Sequence, residues 1–156
     1  MPMLHESSPI FLAILNVLSV LFVHKPKMQT KNIPIKRKKT ILIVEDYDVS
    51  CKYFKVILKK FNFNTILAVN GKEAVDLCKR RQDIDLVLMD IKMPVMNGYQ
   101  ATKKIKAIRN DIPIIAQTAF ALLGDKDRAI KAGCDDYLPK PVTSKKLRNI
   151  IDKYIA

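Results

Sequence analysis

Glu45, Asp46, Asp90, Thr118 and Lys140 are the residues whose types could do chemistry together, and each stands at or just after the end of a short apolar run. Ile41-Leu42-Ile43-Val44 precedes Glu45 and Asp46. Leu86-Val87-Leu88-Met89 precedes Asp90, Ile112-Pro113-Ile114-Ile115-Ala116 precedes Gln117 and Thr118, and Tyr137-Leu138-Pro139 delivers Lys140. Runs this short, without polar alternation, read as strands buried on both faces. In an open α/β sheet, ligands bind outside the carboxyl ends of the strands. If these strands are parallel neighbours, three carboxylates, a hydroxyl and an ammonium therefore meet on one edge. Clustered carboxylates repel unless a cation neutralises them, and hard oxygen donors suit Mg²⁺ better than zinc or copper. Lys140 could offset charge on an anion bound beside that metal. The set describes a phosphoryl site, where positioning and charge stabilisation carry the reaction. Taken singly, Asp90 reads equally well as a turn former or helix cap, Thr118 as a turn residue and Lys140 as a solvated side chain. Convergence is what argues for chemistry.

Bringing them together requires strands and helices that alternate from residue 40 onward, which predicts a doubly wound five-stranded parallel sheet with helices on both faces. A helix is expected from Asp48 or Ser50 to about Phe61, its apolar face made by Tyr53, Phe54, Ile57, Leu58 and Phe61. Asn62 and Asn64 stand where glycine often ends a helix, since asparagine tolerates the left-handed conformation. A second strand is expected over residues 65–69. Asn70-Gly71 then turns the chain into a helix with Ala74, Val75, Leu77 and Cys78 at core spacing. After Asp90, Pro94 stiffens the loop, Met93 and Met96 read as packing beneath it, and Asn97 caps a helix placing Ala101, Thr102, Ile105 and Ile108 on one face. Gly98 permits a close turn. A weak, charged helix from about Asp125 and a final one capped by Thr143 or Ser144, carrying Leu147, Ile150, Ile151 and Ile155, complete the set. No output domain is expected after it.

The chain has 156 residues and a net charge of +13, enough for one domain plus an appendage. Residues 1–39 hold seven Lys or Arg against the lone Glu6, so nearly half the excess belongs to them. A pI near 9.7 invites nucleic acid as a partner. Against it, there is no helix-turn-helix pattern, no zinc-ligand spacing and no aromatic and basic interleaving, so direct nucleic-acid contact is not expected. Cys51, Cys78 and Cys134 are odd in number and far apart, which fits free thiols in a reduced, cytoplasmic compartment. Residues 10–23 are apolar except for Asn16 and Ser19. As a helix they would reach about 21 Å against a hydrocarbon core of roughly 30 Å. They stand as a weak membrane anchor, a leader that packs on something, or a piece outside the domain, such as a remnant of a longer hybrid protein or a misplaced start; the last is favoured. Residues 24–39, with Pro26, Pro34 and Lys36-Arg37-Lys38-Lys39, read as an exposed linker. The domain is thus expected over residues 40–156, with 1–39 outside the fold.

The sequence resembles the receiver domains of two-component response regulators, especially those found in hybrid sensor kinases. The likeness rests on Ile-Val-Glu-Asp at 43–46, Leu-Met-Asp-Ile-Lys-Met-Pro-Val-Met-Asn-Gly at 88–98, Pro-Ile-Ile-Ala-Gln-Thr-Ala at 113–119 and Ala-Gly-Cys-Asp-Asp-Tyr-Leu-Pro-Lys-Pro-Val at 132–142. It implies a flavodoxin-like (βα)5 fold with Asp90 as phosphoacceptor. By the same likeness Glu45, Asp46, Asp90 and the backbone carbonyl of Lys92 hold Mg²⁺, and Thr118 and Lys140 contact the phosphoryl group. Thr118 and Tyr137 are the implied switch pair, and Lys140-Pro141 is implied to be cis. The donor would be a histidine kinase or a histidine phosphotransfer domain, with a downstream effector protein reading the switched surface. Such a domain is no enzyme beyond slow self-dephosphorylation. Lys92 and Phe120 depart from the family pattern and are expected to border the phosphoryl pocket, tuning the phosphorylated lifetime.

Two other readings compete. Asp46-Tyr47-Asp48-Val49-Ser50 resembles the nucleophile motif of haloacid-dehalogenase-type phosphatases, with Thr118, Lys140 and Asp135-Asp136 in the remaining roles. That reading leaves Glu45 and Asp90 unexplained, and the Asp pair precedes a strand instead of ending one. The other makes the domain mainly a docking surface or phosphate sink.

Overall fold

The structure, a computed structural model, describes residues 37–119 and 124–155. Strands and helices alternate through them as β1 (Thr40–Val44), α1 (Asp48–Lys60), β2 (Asn64–Ala68), α2 (Gly71–Arg80), β3 (Ile84–Asp90), α3 (Gly98–Ile108), β4 (Ile114–Thr118), α4 (Asp125–Ala132), β5 (Asp136–Pro139) and α5 (Ser144–Ile155). The five strands form one parallel sheet in the order β2-β1-β3-β4-β5. This is the expected flavodoxin-like arrangement. The chain builds outward from β1 to β2, then returns to the other side of β1 with β3, so a crevice opens at the carboxyl ends of β1 and β3.

Side chains alternate across each strand, and in the central strands β1, β3 and β4 both sets are almost wholly buried. Leu42, Val44, Val87, Met89, Ile114 and Ala116 face α2, α3 and α4, which contribute Ala74, Val75, Cys78, Ala101, Ile105 and Ala129. Ile41, Ile43, Leu86, Leu88, Ile115 and Leu138 face α1 and α5, meeting Phe54, Leu58, Leu147, Ile151 and Ile155. Local signals set the helix ends. Asn70 accepts from the Glu73 N–H while Glu73 accepts from the Val69 N–H. Asn97 and Gln100 form a reciprocal capping box. Thr143 Oγ1 accepts from the Lys146 N–H.

Some boundaries differ from expectation. The second strand begins and ends one residue early, so Asn64 is its first residue and Asn62 alone takes the left-handed turn, at φ 65°. Ile108 is half-exposed at the end of α3. Arg37 and Lys39, read as linker, are joined to the fold: both reach Asp85 Oδ1, at 2.6 and 3.2 Å, and the Lys39 carbonyl accepts from the Asn64 N–H. The leader segment 10–23, most of the linker and Phe120 lie outside the described residues. Among the described residues no helix is long and apolar enough to cross a membrane. Cys51, Cys78 and Cys134 are free and buried, and burial pushes the Cys78 thiol up to about 11.

Candidate metal and phosphoryl site

Glu45 follows directly on β1, its N–H bonded to the Ala68 carbonyl, and Asp90 is the last residue of β3. Because these strands are neighbours and parallel, their carboxyl ends coincide. Glu45, Asp46 and Asp90 each offer a carboxylate oxygen, and the three lie within 4.8 Å of one another. Glu45 and Asp90 are buried, while Asp46 is exposed. Asp90 Oδ1 accepts from its neighbour's N–H, that of Ile91, at 2.8 Å. Lys140 donates to Glu45 Oε2 at 2.8 Å and lies 3.3 Å from Asp90 Oδ2. Two buried carboxylates thus share one ammonium. Burial pushes the Glu45 carboxyl up, and the Asp90 charge adds to this against the pull of Lys140. Burial works against the Lys140 ammonium, but its bond to Glu45 and the Asp90 charge outweigh that and hold it above its ordinary value. Charge is left over on the acidic side. A hard dication is what this donor set fits, three carboxylate oxygens on rigid strand ends with one open, exposed member.

The loop after β3 is held by its backbone. The Ile91 N–H bonds the Gln117 carbonyl, the Gly98 N–H bonds the Ile91 carbonyl, and the Gly71 N–H bonds the Met96 carbonyl. Gly98 sits where a Cβ would collide with the Asp90 carbonyl oxygen. Val95 has φ 67°, and the Met96 N–H bonds the Pro94 carbonyl at 2.7 Å across it, the pattern of a γ-turn. A β-branched residue in the left-handed region is strained, and such strain collects where a loop must hold one shape. Met93 and Met96 pack beneath the loop on the core, as expected.

Beside the carboxylates lies a cleft of about 520 Å³ whose walls include Asp46, Lys92, Thr118, Tyr99, Asp125 and Arg128. Thr118, buried at the end of β4, therefore opens on the same space as Asp46 and Lys92. Tyr137 is in register with Ala116 and packs, partly buried, on the core face of α2, α3 and α4. Asp135 and Asp136 do not reach the site. They lie at the opposite end of β5, paired with Lys106 and Lys153, which removes two members of the phosphatase reading. The Lys140–Pro141 peptide is cis, and the Tyr53 hydroxyl donates to the Val142 carbonyl at 2.8 Å, tying the segment after Lys140 to α1.

Three features escaped the sequence. Cys51 donates its thiol to the Glu45 carbonyl, Asp85 gathers Arg37, Lys39 and the Thr40 N–H, and Gln117 is wholly buried. The Cys51 bond depends on how the turn after β1 folds back, the Asp85 cluster on pairings remote in the chain, and a glutamine near a strand end reads as solvated.

Residues 41–152 match the response regulator receiver domain family. The chain is 38% identical over 121 residues to the polar-differentiation response regulator DivK of Brucella anthropi, covering 76% of this chain and 97% of that protein. It is similar to the receiver domain of the sensor histidine kinase PA1611 from Pseudomonas aeruginosa, solved with a magnesium ion in its active-site cleft (36% identity, TM-score 0.71, 76% of this chain and 98% of that one). It is also similar to the receiver domain of the Saccharomyces cerevisiae response regulator Ssk1, solved with the histidine phosphotransfer protein Ypd1 (32% identity, TM-score 0.70, 75% and 88% covered).

Proposed function

The chain belongs to the response regulator receiver family, phosphoacceptor modules of two-component signalling, and from that premise we propose that Asp90 takes the phosphoryl group. The observation that carries the reading is the meeting of Glu45, Asp46 and Asp90 within 4.8 Å, under an ammonium that touches two of them. Glu45, Asp46, Asp90 and the Lys92 carbonyl would hold Mg²⁺, which when bound offsets the negative charge that builds on the phosphoryl oxygens. An Asp90 oxygen attacks the phosphorus of a phosphohistidine in line. The O–P bond forms as the N–P bond breaks, and the imidazole leaves with the electron pair. Lys140 then pairs with one phosphoryl oxygen and Thr118 donates its hydroxyl to another. Thr118 moving inward makes room for Tyr137 to turn, which alters the face built by α4, β5 and α5 for an effector protein. Lys92, on the wall of the cleft, and Phe120 tune how long the label lasts.

The donor is a histidine kinase or a histidine phosphotransfer domain. Support comes from the surface beside Asp90, where Tyr47, Val49, Tyr53 and Val56 are exposed along α1 and at its start. Val49 and Tyr53 border a groove of about 320 Å³ closed by Lys140, Pro141 and Val142. An apolar surface next to the acceptor suits a helical partner that must bring its histidine within bonding distance. Such donors place the chain in the cytoplasm. The domain runs from residue 40, with 1–39 as leader and linker and with Arg37 and Lys39 as its anchor on β3.

Mass spectrometry of the intact protein after treatment with acetyl phosphate, with and without Mg²⁺, tests the assignment. One added phosphate that needs Mg²⁺ and is absent from Asp90→Asn is the expected result. An adduct that persists in Asp90→Asn, or no adduct in the wild type, would overturn it and favour a docking module.

A further inference from the structure

Gln117 is fully buried on β4, and neither its Nε2 nor its Oε1 has a hydrogen-bond partner among the described residues. An amide removed from water without partners is costly, and an apolar side chain of similar volume would avoid that cost. Its neighbours fix where it sits. Gln117 is in register with Asp90 on one side and Leu138 on the other. Leu138 and Ile115, two residues before Gln117, belong to the face covered by α1 and α5, so strand alternation puts the Gln117 amide on that face. Lys140 begins past the end of β5, with its N–H on the Thr118 carbonyl, yet its ammonium reaches Asp90 on β3 and Glu45 after β1. Because β4 lies between β5 and β3, the Lys140 stem must cross it. Gln117 stands beneath that crossing, beside Asp90.

We propose that Gln117 is a positioning residue for Lys140, its Oε1 accepting the ammonium when Lys140 leaves Glu45 for the phosphoryl group. The inference rests on Asp90 as phosphoacceptor. Before transfer the ammonium is taken up by Glu45 and Asp90, and the Gln117 amide has no one to bond. Once an Asp90 oxygen is bonded to phosphorus it loses its charge, and the ammonium turns toward the phosphoryl oxygens. A neutral acceptor beneath the stem then steadies the ammonium without drawing it away as a carboxylate would. The unpartnered Oε1 is thus a cost of the unlabelled state that labelling relieves, and it biases the switch.

The test is a double-variant cycle of Gln117→Met and Lys140→Ala, following the gain and loss of phosphate from acetyl phosphate and Mg²⁺ by intact mass, with melting curves alongside. Gln117→Met is expected to melt no lower than wild type, yet to change a rate of gain or loss by about fivefold or more. In the Lys140→Ala background the same substitution should change it by less than about twofold. Gln117→Leu provides the same comparison if methionine packs poorly. Equal effects in both backgrounds, or none in a wild-type background that labels normally, overturn the proposal. A lower melting temperature in both Gln117→Met and Gln117→Leu also overturns it, by showing that the amide already has a partner such as a buried water. A wild type that takes no label overturns the Asp90 assignment first, and this inference with it.

Discussion

Glu45 is 1% exposed and shares its ammonium with Asp90, so its own ionisation costs stability that Lys140 recovers only in part. Burial, reinforced by the Asp90 charge, holds its folded pKa above the unfolded value of about 4.3. The folded state therefore binds the proton more tightly, and stability falls as pH rises from that value through the folded one. Glu45→Gln should accordingly melt a few degrees above wild type at pH 7.5 in the absence of Mg²⁺. It should also lose most of the rise that added Mg²⁺ gives the wild type, since binding to the folded state alone is what raises a melting point. Thermal melts of the two proteins with and without Mg²⁺ check both halves. A variant that melts lower and responds fully to Mg²⁺ would show that Glu45 serves as a structural ion-pair partner instead.

The element that follows Asp90 is the loop from Ile91 to Asn97, and its shape depends on Gly98 lying against the Asp90 carbonyl. Gly98→Ala should push that loop off the strand end, with a loss of about 1–3 kcal/mol as overpacking of a tight site costs. It should also weaken Mg²⁺ binding, which titration with the metal followed by melting temperature would reveal. Unchanged stability and metal response would mean that the loop has slack. Much at this scale was legible in the sequence. Runs such as Ile41 to Val44 are apolar throughout because both faces of a central strand are covered, and Asn97 announces a helix start. The meeting of Glu45, Asp46, Asp90 and Lys140 followed once the strands were taken as parallel. What stayed hidden needed the third dimension. Gln117 lies in a buried row that only the packing of α1 and α5 creates, the start of β2 depends on Asn64 bonding Lys39, and the γ-turn at Val95 leaves no mark in residue type.

At the scale of the whole molecule, the excess of positive charge does not only repel. Arg37 and Lys39 converge on Asp85 at the start of β3, while the Asp85 Oδ2 accepts from the buried Thr40 N–H at 2.7 Å. Burial pushes the Asp85 carboxyl up, and Arg37, the Thr40 N–H and Lys39 more than reverse it, leaving it below its ordinary value. A depressed carboxylate contributes stability that is fully present above its unfolded value of about 3.9 and is lost as pH falls through the folded one. Asp85→Ala should cost about 1–3 kcal/mol at pH 7, mainly from stranding the Thr40 N–H. The gap to wild type should narrow below about pH 4, and denaturant melts across that range would show it; a gap independent of pH would place the cost in packing alone. The strand order has a further consequence for how the molecule is made. Glu45 and Lys140 meet across 95 residues of chain, and among the described strands β5 is the last to be made. Contacts so remote in sequence form late. A nascent chain still lacking β5 has the carboxylates of Glu45 and Asp90 but not the Lys140 ammonium that pairs them, so the charge balance of the site is completed only when β5 docks.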